Sequence, residues 1–350
     1  MDLFESSSSS SAEDIPMYLE LIPDNRIFRD RTNPFDMYDN EEFCARYRLS
    51  KESVTNLMHA CYNNIAPVTH RSKSISAMNQ ILCTLRFLAT VTFQAVIGDT
   101  VGIHKSTVSR ILKVVLREFA RIAREKVCMP DEPVAIQNTK TAFMAMHGFP
   151  NVIGCVDGTH IKIQSPGGEN SEIYRNRKGY FSYNVQMVCD PNLKICSIDA
   201  RWPGSTHDST IFNASMLRMQ MEQEYENCIL LGDSAYPCRN YLMTPVAHPR
   251  NVAENNYNNA QIHTRNCIER CFGVLKRRFP ALALGMRIAK ETALTAIVAA
   301  SVLHNIAIEE NNILPAPEVE IPEVLHEDAP LGDAADGNAA RREIINTFFN

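Results

Sequence analysis

The sequence predicts an α/β protein, a mixed sheet flanked by helices and preceded by an all-α region. Three observations lead there. Apolar residues recur at helical spacing over 41–119, the period changes to that of strands after Asn151, and long helical patterns return over 259–279 and 291–310. Strands, a helix, another strand and then helices make an α/β plan. At roughly 150 residues per domain, 350 residues suggest about two domains. The division read from composition is an acidic flexible leader (1–42), a helical region (43–148), the α/β domain (149–310) and an acidic tail (311–350).

Each element has a local reason. A serine run at 6–11 followed by acidic residues suits a flexible leader. Ser50 ahead of Lys51 and Glu52 suits a helix start, and 79–96 is a second apolar helical run. Over 94–112 a short helix, a turn containing Gly102 and an amphipathic helix form the parts of a helix-turn-helix. Val108, Ile111, Leu112 and Val115 fall on its buried face. Lys105, Ser106, Ser109, Arg110 and Lys113 are left outside, where a DNA-binding unit would meet phosphates and bases. Pro130, Asp131 and Glu132 make 122–150 read as a connector. Segments 152–156 and 161–164 flank Asp157-Gly158-Thr159-His160, and 183–189 turns through Asp190-Pro191-Asn192 into 194–200, an antiparallel meander. Asp208 opens a helical stretch to about 223, and 229–233 is a buried strand. The most apolar stretch, 292–308, is shorter than a membrane span and contains His304 and Asn305; it reads as a core helix, and no membrane association is expected.

Net charge conceals an asymmetry. The overall value is −5, but residues 1–42 and 309–350 carry −8 each, leaving +11 for 43–308. A basic body attracts polyanions, and acidic flanks can mask it. Eleven scattered cysteines form no CxxC pair and follow no apolar leader, as expected of free thiols in a reducing compartment.

Two aspartates stand at the ends of apolar runs, Asp157 after 152–156 and Asp233 after 229–232, and Glu269 borders the apolar face of a helix. Carboxylates are costly to bury without partners. Gathered together they would suit a hard divalent cation, whereas singly an Asp-Gly reads as a turn. Seven Lys/Arg lie between 261 and 290 against Glu269 as the one acid, and Arg175, Arg177 and Lys178 precede Tyr180, Phe181 and Tyr183. Such patches neutralise phosphates. His160 and His207 adjoin candidate acids but read more simply as structural, as do His304, Cys267 and Cys271.

An ordered set of motifs then narrows the reading. Val156-Asp157-Gly158-Thr159-His160-Ile161, Asn176-Arg177-Lys178-Gly179, Trp202-Pro203-Gly204-Ser205-Thr206-His207-Asp208-Ser209, Leu231-Gly232-Asp233-Ser234-Ala235-Tyr236, Leu242-Met243-Thr244-Pro245, Ile268-Glu269-Arg270-Cys271-Phe272-Gly273 and Val302-Leu303-His304-Asn305 together resemble the PIF/Harbinger family of DDE transposases. The likeness is greater still to the domesticated Harbinger transposase-derived nucleases. The resemblance implies an RNase H-like DDE catalytic domain acting as a divalent-metal-dependent DNA endonuclease. Asp157, Asp233 and Glu269 would be the catalytic acids, with 35 residues between the last two and no room for a large insertion. Those three and Asp208 would hold two Mg²⁺ or Mn²⁺ ions, Asp208 serving as ligand or support. Arg175, Arg177, Lys178, Arg265, Arg270, Lys276, Arg277, Lys105 and Arg110 would contact DNA. The family also implies a Myb/SANT-like DNA-binding partner that assists nuclear import, and a homo-oligomer is a further expectation. Localisation is expected in the nucleus with a cytoplasmic pool, since the cluster Lys276-Arg277-Arg278 is a poor import signal. The alternative is a catalytically silent DNA-binding or adaptor protein; a phosphohydrolase of small phosphates fits the carboxylates but not the basic surface.

Overall fold

The computed structural model describes residues 33–67, 74–90, 92–312 and 335–350. The expected leader up to 32 and the stretch 313–334 of the expected tail lie outside the described residues.

Helices come first: α1 (Pro34–Met37), α2 (Asn40–Tyr47), α3 (Lys51–Ile65), α4 (Ala77–Thr90), α5 (Gln94–Val101), α6 (Lys105–Arg121), α7 (Ala123–Lys126) and α8 (Pro133–His147). Ser50 caps α3 by accepting from Ser53 N. The run expected over 79–96 is two helices, separated before Gln94, where the backbone of Phe93 is extended. Gly102 ends α5 at φ 68°, a left-handed conformation that glycine adopts without steric cost, and His104 caps α6 through Ser106 N. Val108, Ile111, Leu112 and Val115 are buried, while Lys105, Ser106, Ser109, Arg110 and Lys113 are exposed. The connector expected over 122–150 holds α8. Pro133 sits in its first turn, where the missing N–H costs nothing, so it starts a helix rather than breaking one.

The sheet follows as β1 (Val152–Lys162), β2 (Ser182–Cys189), β3 (Ile195–Pro203), helices α9 (Asp208–Asn213) and α10 (Met216–Gln223), β4 (Ile229–Leu231) and β5 (Leu242–Met243). Its order is β3-β2-β1-β4-β5, antiparallel from β1 to β3 and parallel through β4 and β5. Segments 152–156 and 161–164 are one continuous strand, so Asp157 lies in the middle of β1 rather than at a strand end, opposite Met187 of β2. Then come α11 (Val252–Arg278), α12 (Ala281–Leu284), α13 (Lys290–Glu309) and α14 (Ala335–Phe348).

Alternation along β1 divides the interior. Cys155 and Ile161 face the side on which α11 and α13 pack, and Val156 faces the cluster of Phe212, Leu217, Tyr236 and Leu242, joined by Ile153 through the irregularity at Val152/Gly154. By length and composition α13 could cross a membrane, but it is packed inside the protein against α6 and β3. Asn305 fixes its place by accepting from Ile195 N at 2.8 Å and donating to Ile195 O at 2.7 Å. Part of the expected acidic tail is a docked helix. Arg341 of α14 is buried and donates to Pro245 O at 3.2 Å, and Phe349 packs on Phe149 and Tyr257. Gly337 lets α14 approach so closely that a Cβ there would overlap the backbone of Cys238.

Candidate active site

Parallel pairing sets two of the three acids side by side. Cys155 of β1 is in register with Leu231 of β4, so two residues further along each strand direction stand Asp157 and Asp233. The third acid comes from α11, which crosses this face. Gln261, wholly buried, donates from Nε2 to Gly232 O at 2.7 Å and Met243 O at 3.3 Å, latching α11 to the backbone just before Asp233. One turn later Arg265 donates from Nη1 to Asp157 Oδ2 at 2.9 Å and from Nη2 to Glu269 Oε1. Gly158 N donates to Asp157 Oδ1 at 2.8 Å, and Asp233 Oδ1 accepts from Ala235 N at 2.9 Å. Asp157 is 1% exposed, while the Glu269 side chain is half exposed. Asp157, Asp233 and Glu269 therefore converge.

The electrostatics are those of a crowded carboxylate site. Burial pushes the Asp157 carboxyl up to about 7, and the neighbouring charge of Asp233 adds to this, while Arg265 and the Gly158 N–H oppose it. Tyr236 lies buried near Asp208, Asp157 and Asp233, and its Oη has no hydrogen-bond partner among the described residues. Burial also pushes its phenol far up, so it stays protonated and can donate. Among the described residues no group of three or more His, Cys, Asp or Glu side chains is arranged to hold a metal; the acids meet around a guanidinium instead. The donor set still fits a cation. Oxygen ligands suit Mg²⁺ or Mn²⁺, and two carboxylates that raise each other's proton affinity are stabilised by positive charge between them.

Asp208 stands apart from this group. It is the first residue of α9, whose cap is His207, and its carboxylate occupies the space a Cβ on Gly158 would fill. Successive side chains leave a strand on opposite faces, so Asp208 lies across β1 from Asp157. Asn184 Nδ2 holds it at 2.6 Å. That geometry sets its carboxylate against the β1 backbone beside Asp157.

The basic residues divide into outward and inward groups. Lys105, Arg110, Arg177, Lys178 and Arg270 are exposed. Arg175 is exposed but closes its own loop, pairing with Glu172 at 2.7 Å and stacking on Phe181. Arg177 donates to His207 Nδ1 at 2.6 Å. Arg265 belongs to the carboxylate cluster. Lys276 is buried, donates to Thr159 Oγ1 at 2.7 Å, and is pushed down to about 8, chiefly by burial. Arg277 is half-buried, and Arg278 is buried, donating to Arg48 O at 3.0 Å. Sequence spacing marked Arg265, Lys276 and Arg278 as a basic surface because composition does not tell which way a helix faces. Gln261 carries no signal of charge or motif that would single it out, and Tyr236 stands at the end of the 231–236 motif with no role assigned to it.

The remaining candidates are structural. His160 Nδ1 lies 3.1 Å from Ser182 Oγ. His304 is fully buried and Nε2 donates to Leu193 O at 2.8 Å. Cys267 approaches Cys189 at 3.5 Å in the core, and Cys271 lies 3.9 Å from His304 Nε2. Burial pushes the thiols of Cys155 and Cys189 up.

Residues 156–305, which hold all but the start of the sheet and the whole of α11, match the family described as DDE superfamily endonuclease, and that is the class of this domain. Within it, the chain belongs to the Harbinger transposase-derived nuclease family. It is 32% identical to "Putative nuclease HARBI1" of Homo sapiens over 324 residues, covering 90% of this chain and 92% of the relative. The Xenopus laevis protein of that name is 31% identical over 79% of this chain and 80% of its own length. "Protein ALP1-like" of Arabidopsis thaliana is 26% identical over 67% of this chain and 61% of its own. No solved structure matches.

Proposed function

We propose that the protein is a divalent-metal-dependent DNA endonuclease with an RNase H-like catalytic domain. The observation that carries this reading is the convergence of Asp157, Asp233 and Glu269 from β1, the end of β4 and α11. The sheet order, with two antiparallel and two parallel pairings, supports the fold assignment.

Asp157, Asp233 and Glu269 would hold the cations, two by the expectation from the family, with Asp208 supporting the β1 backbone. When bound, Mg²⁺ or Mn²⁺ supplies activation of water and neutralisation of the charge that develops on the phosphodiester. The protein's own contribution is positional. The Gly158 N–H orients the Asp157 carboxylate, Gln261 ties α11 to the Asp233 backbone, and Tyr236 presents a protonated phenol beside the acids.

For DNA, the exposed cations of two regions are favoured. Arg177, Lys178 and Arg270 lie on the catalytic domain, and Arg110, Lys113, Arg117 and Arg121 recur every three or four residues of α6 on its outer face, over about 17 Å of helix. Lys105 stands at the N-terminal start of α6. Near its far end, Arg117, Arg121, Arg124 and Arg201 line a cavity of about 830 Å³ together with Glu125 and Asp199, the latter paired with Arg201 at 3.2 Å. This supports the reading of α5 and α6 as a DNA-binding helix-turn-helix. The burial of Lys276 and Arg278 removes them as an import signal in the folded protein, which supports entry to the nucleus on a Myb/SANT-like partner.

Nicking of supercoiled plasmid by the purified full chain tests the reading. Activity is expected with Mg²⁺ or Mn²⁺, not with chelator, and is expected to fall to background in Asp157→Asn, Asp233→Asn and Glu269→Gln. Salt-sensitive DNA binding without metal-dependent turnover would mark the catalytically silent adaptor.

A further inference from the structure

The three acids are already gathered, and two of them, Asp157 and Glu269, are bridged by a side chain of the same helix as Glu269. Arg265 is largely buried, with 13% of its side chain exposed. Its fork spans two elements: Nη1 reaches Asp157 Oδ2 on β1 at 2.9 Å and Nη2 reaches Glu269 Oε1 one helical turn on. Asp233 adds its negative charge to the same surroundings. A planar guanidinium can bond two carboxylates at once, as a lysine ammonium at this distance cannot do with the same geometry. Without it, Asp157 would be a buried carboxylate against a second one.

We propose that the Arg265 guanidinium is the resident counter-ion of the carboxylate cluster, and that a divalent cation enters by exchanging with it. This rests on the reading of Asp157, Asp233 and Glu269 as cation ligands. Oδ2 of Asp157 and Oε1 of Glu269 are the oxygens Arg265 engages, whereas Oδ1 of Asp157 is held by the Gly158 N–H. A cation taking those two oxygens competes with both arginine contacts, because two positive groups against the same pair of oxygens repel each other. The exchange has two consequences. The site keeps its shape without metal, and cation affinity is lowered by the work of moving Arg265. The half-exposed Glu269 side chain marks the side from which Arg265 can leave.

The test measures Mn²⁺ binding to the full 350-residue chain by isothermal titration calorimetry, in the wild type, Arg265→Gln and Asp157→Asn. Arg265→Gln is expected to bind Mn²⁺ at least tenfold more tightly, to melt at a lower temperature than wild type without metal, and to recover on adding Mn²⁺. Asp157→Asn is expected to lose Mn²⁺ binding. In the wild type, Mn²⁺ is expected to increase phenylglyoxal labelling of Arg265, mapped by mass spectrometry, as the guanidinium is freed. Equal or weaker Mn²⁺ affinity in Arg265→Gln, or labelling unchanged by Mn²⁺, overturns the exchange while leaving the ligands in place. Absence of Mn²⁺ binding by wild type and Arg265→Gln alike, or undiminished binding by Asp157→Asn, overturns the ligand assignment and the exchange with it. Should Arg265→Gln not fold, the labelling of the wild-type chain decides.

Discussion

Asp157 shows how one residue's surroundings set both its chemistry and its cost. Its folded proton affinity, pushed up to about 7, exceeds the ordinary carboxylate value of 3.8. A group whose folded pKa is raised stabilises fully below its unfolded pKa and loses that contribution as pH rises through the folded one. In metal-free protein, stability should therefore fall between about pH 4 and pH 7 by up to about 1.4 kcal/mol per pH unit. Asp157→Asn should flatten that slope, and urea melts at pH 5 and pH 8 check it. A variant with the same slope as wild type would show that the carboxylate is not strained by burial. Part of this residue's setting was legible beforehand: an acid after an apolar run, within a motif that resembles the DDE family's, though the pattern ends the run there and the strand continues. Arg265 was not. An Arg four residues before a Glu on a helix reads equally as a solvated pair and as an inward fork, and only the position of β1 beneath it decides.

At the scale of elements, α11 and α6 do different work with similar-looking charge. Within α11, burial turns Gln261, Arg265, Lys276 and Arg278 into struts, whereas on α6 the cations stay outside. Gln261→Leu removes the donor that two carbonyls share, so nicking should drop by more than tenfold, with a loss of about 1–3 kcal/mol in stability. Kinetics and thermal melts on one preparation check both. For α6, Arg117→Glu with Arg121→Glu should weaken nonspecific duplex binding and reduce the slope of log affinity against log salt by about 0.9 per lost phosphate contact. An unchanged slope would take α6 out of the DNA path. Periodicity showed α6 and its buried face plainly, because polar and apolar residues separate cleanly around it. It did not show α8, whose apolar residues are spread around the helix and whose first turn carries a proline. Nor did it show β1 as one strand, because Asp-Gly commonly turns a chain; here Gly158 continues the strand to leave space for Asp208.

Taken whole, the molecule hides a basic body behind a net charge of −5. The acidic C-terminal region is more than a mask, since α14 docks on β5 and α11 and buries Ile345 and Phe349. Deleting 335–350 should cost about 3 kcal/mol or more, from the apolar surface of those two side chains, and lower the melting temperature accordingly. Removing 1–32 instead should raise nonspecific DNA affinity at low salt without destabilising the described fold; unchanged affinity would mean that the acidic leader does not shield the body. Charge distribution pointed to a polyanion, while the docking of α14 escapes a reading of the segment by its charge as a tail, although it carries Ile344, Ile345, Phe348 and Phe349. The central claim is that residues from three elements act as one catalytic centre. Its most direct measurement compares plasmid-nicking rates in Mn²⁺ for Asp157→Asn, Asp233→Asn, Glu269→Gln and the triple variant, since residues that act as a unit are grossly non-additive. The account predicts that each single variant is about as inactive as the triple. Stepwise losses that add up, or nicking that survives in all four, would contradict it.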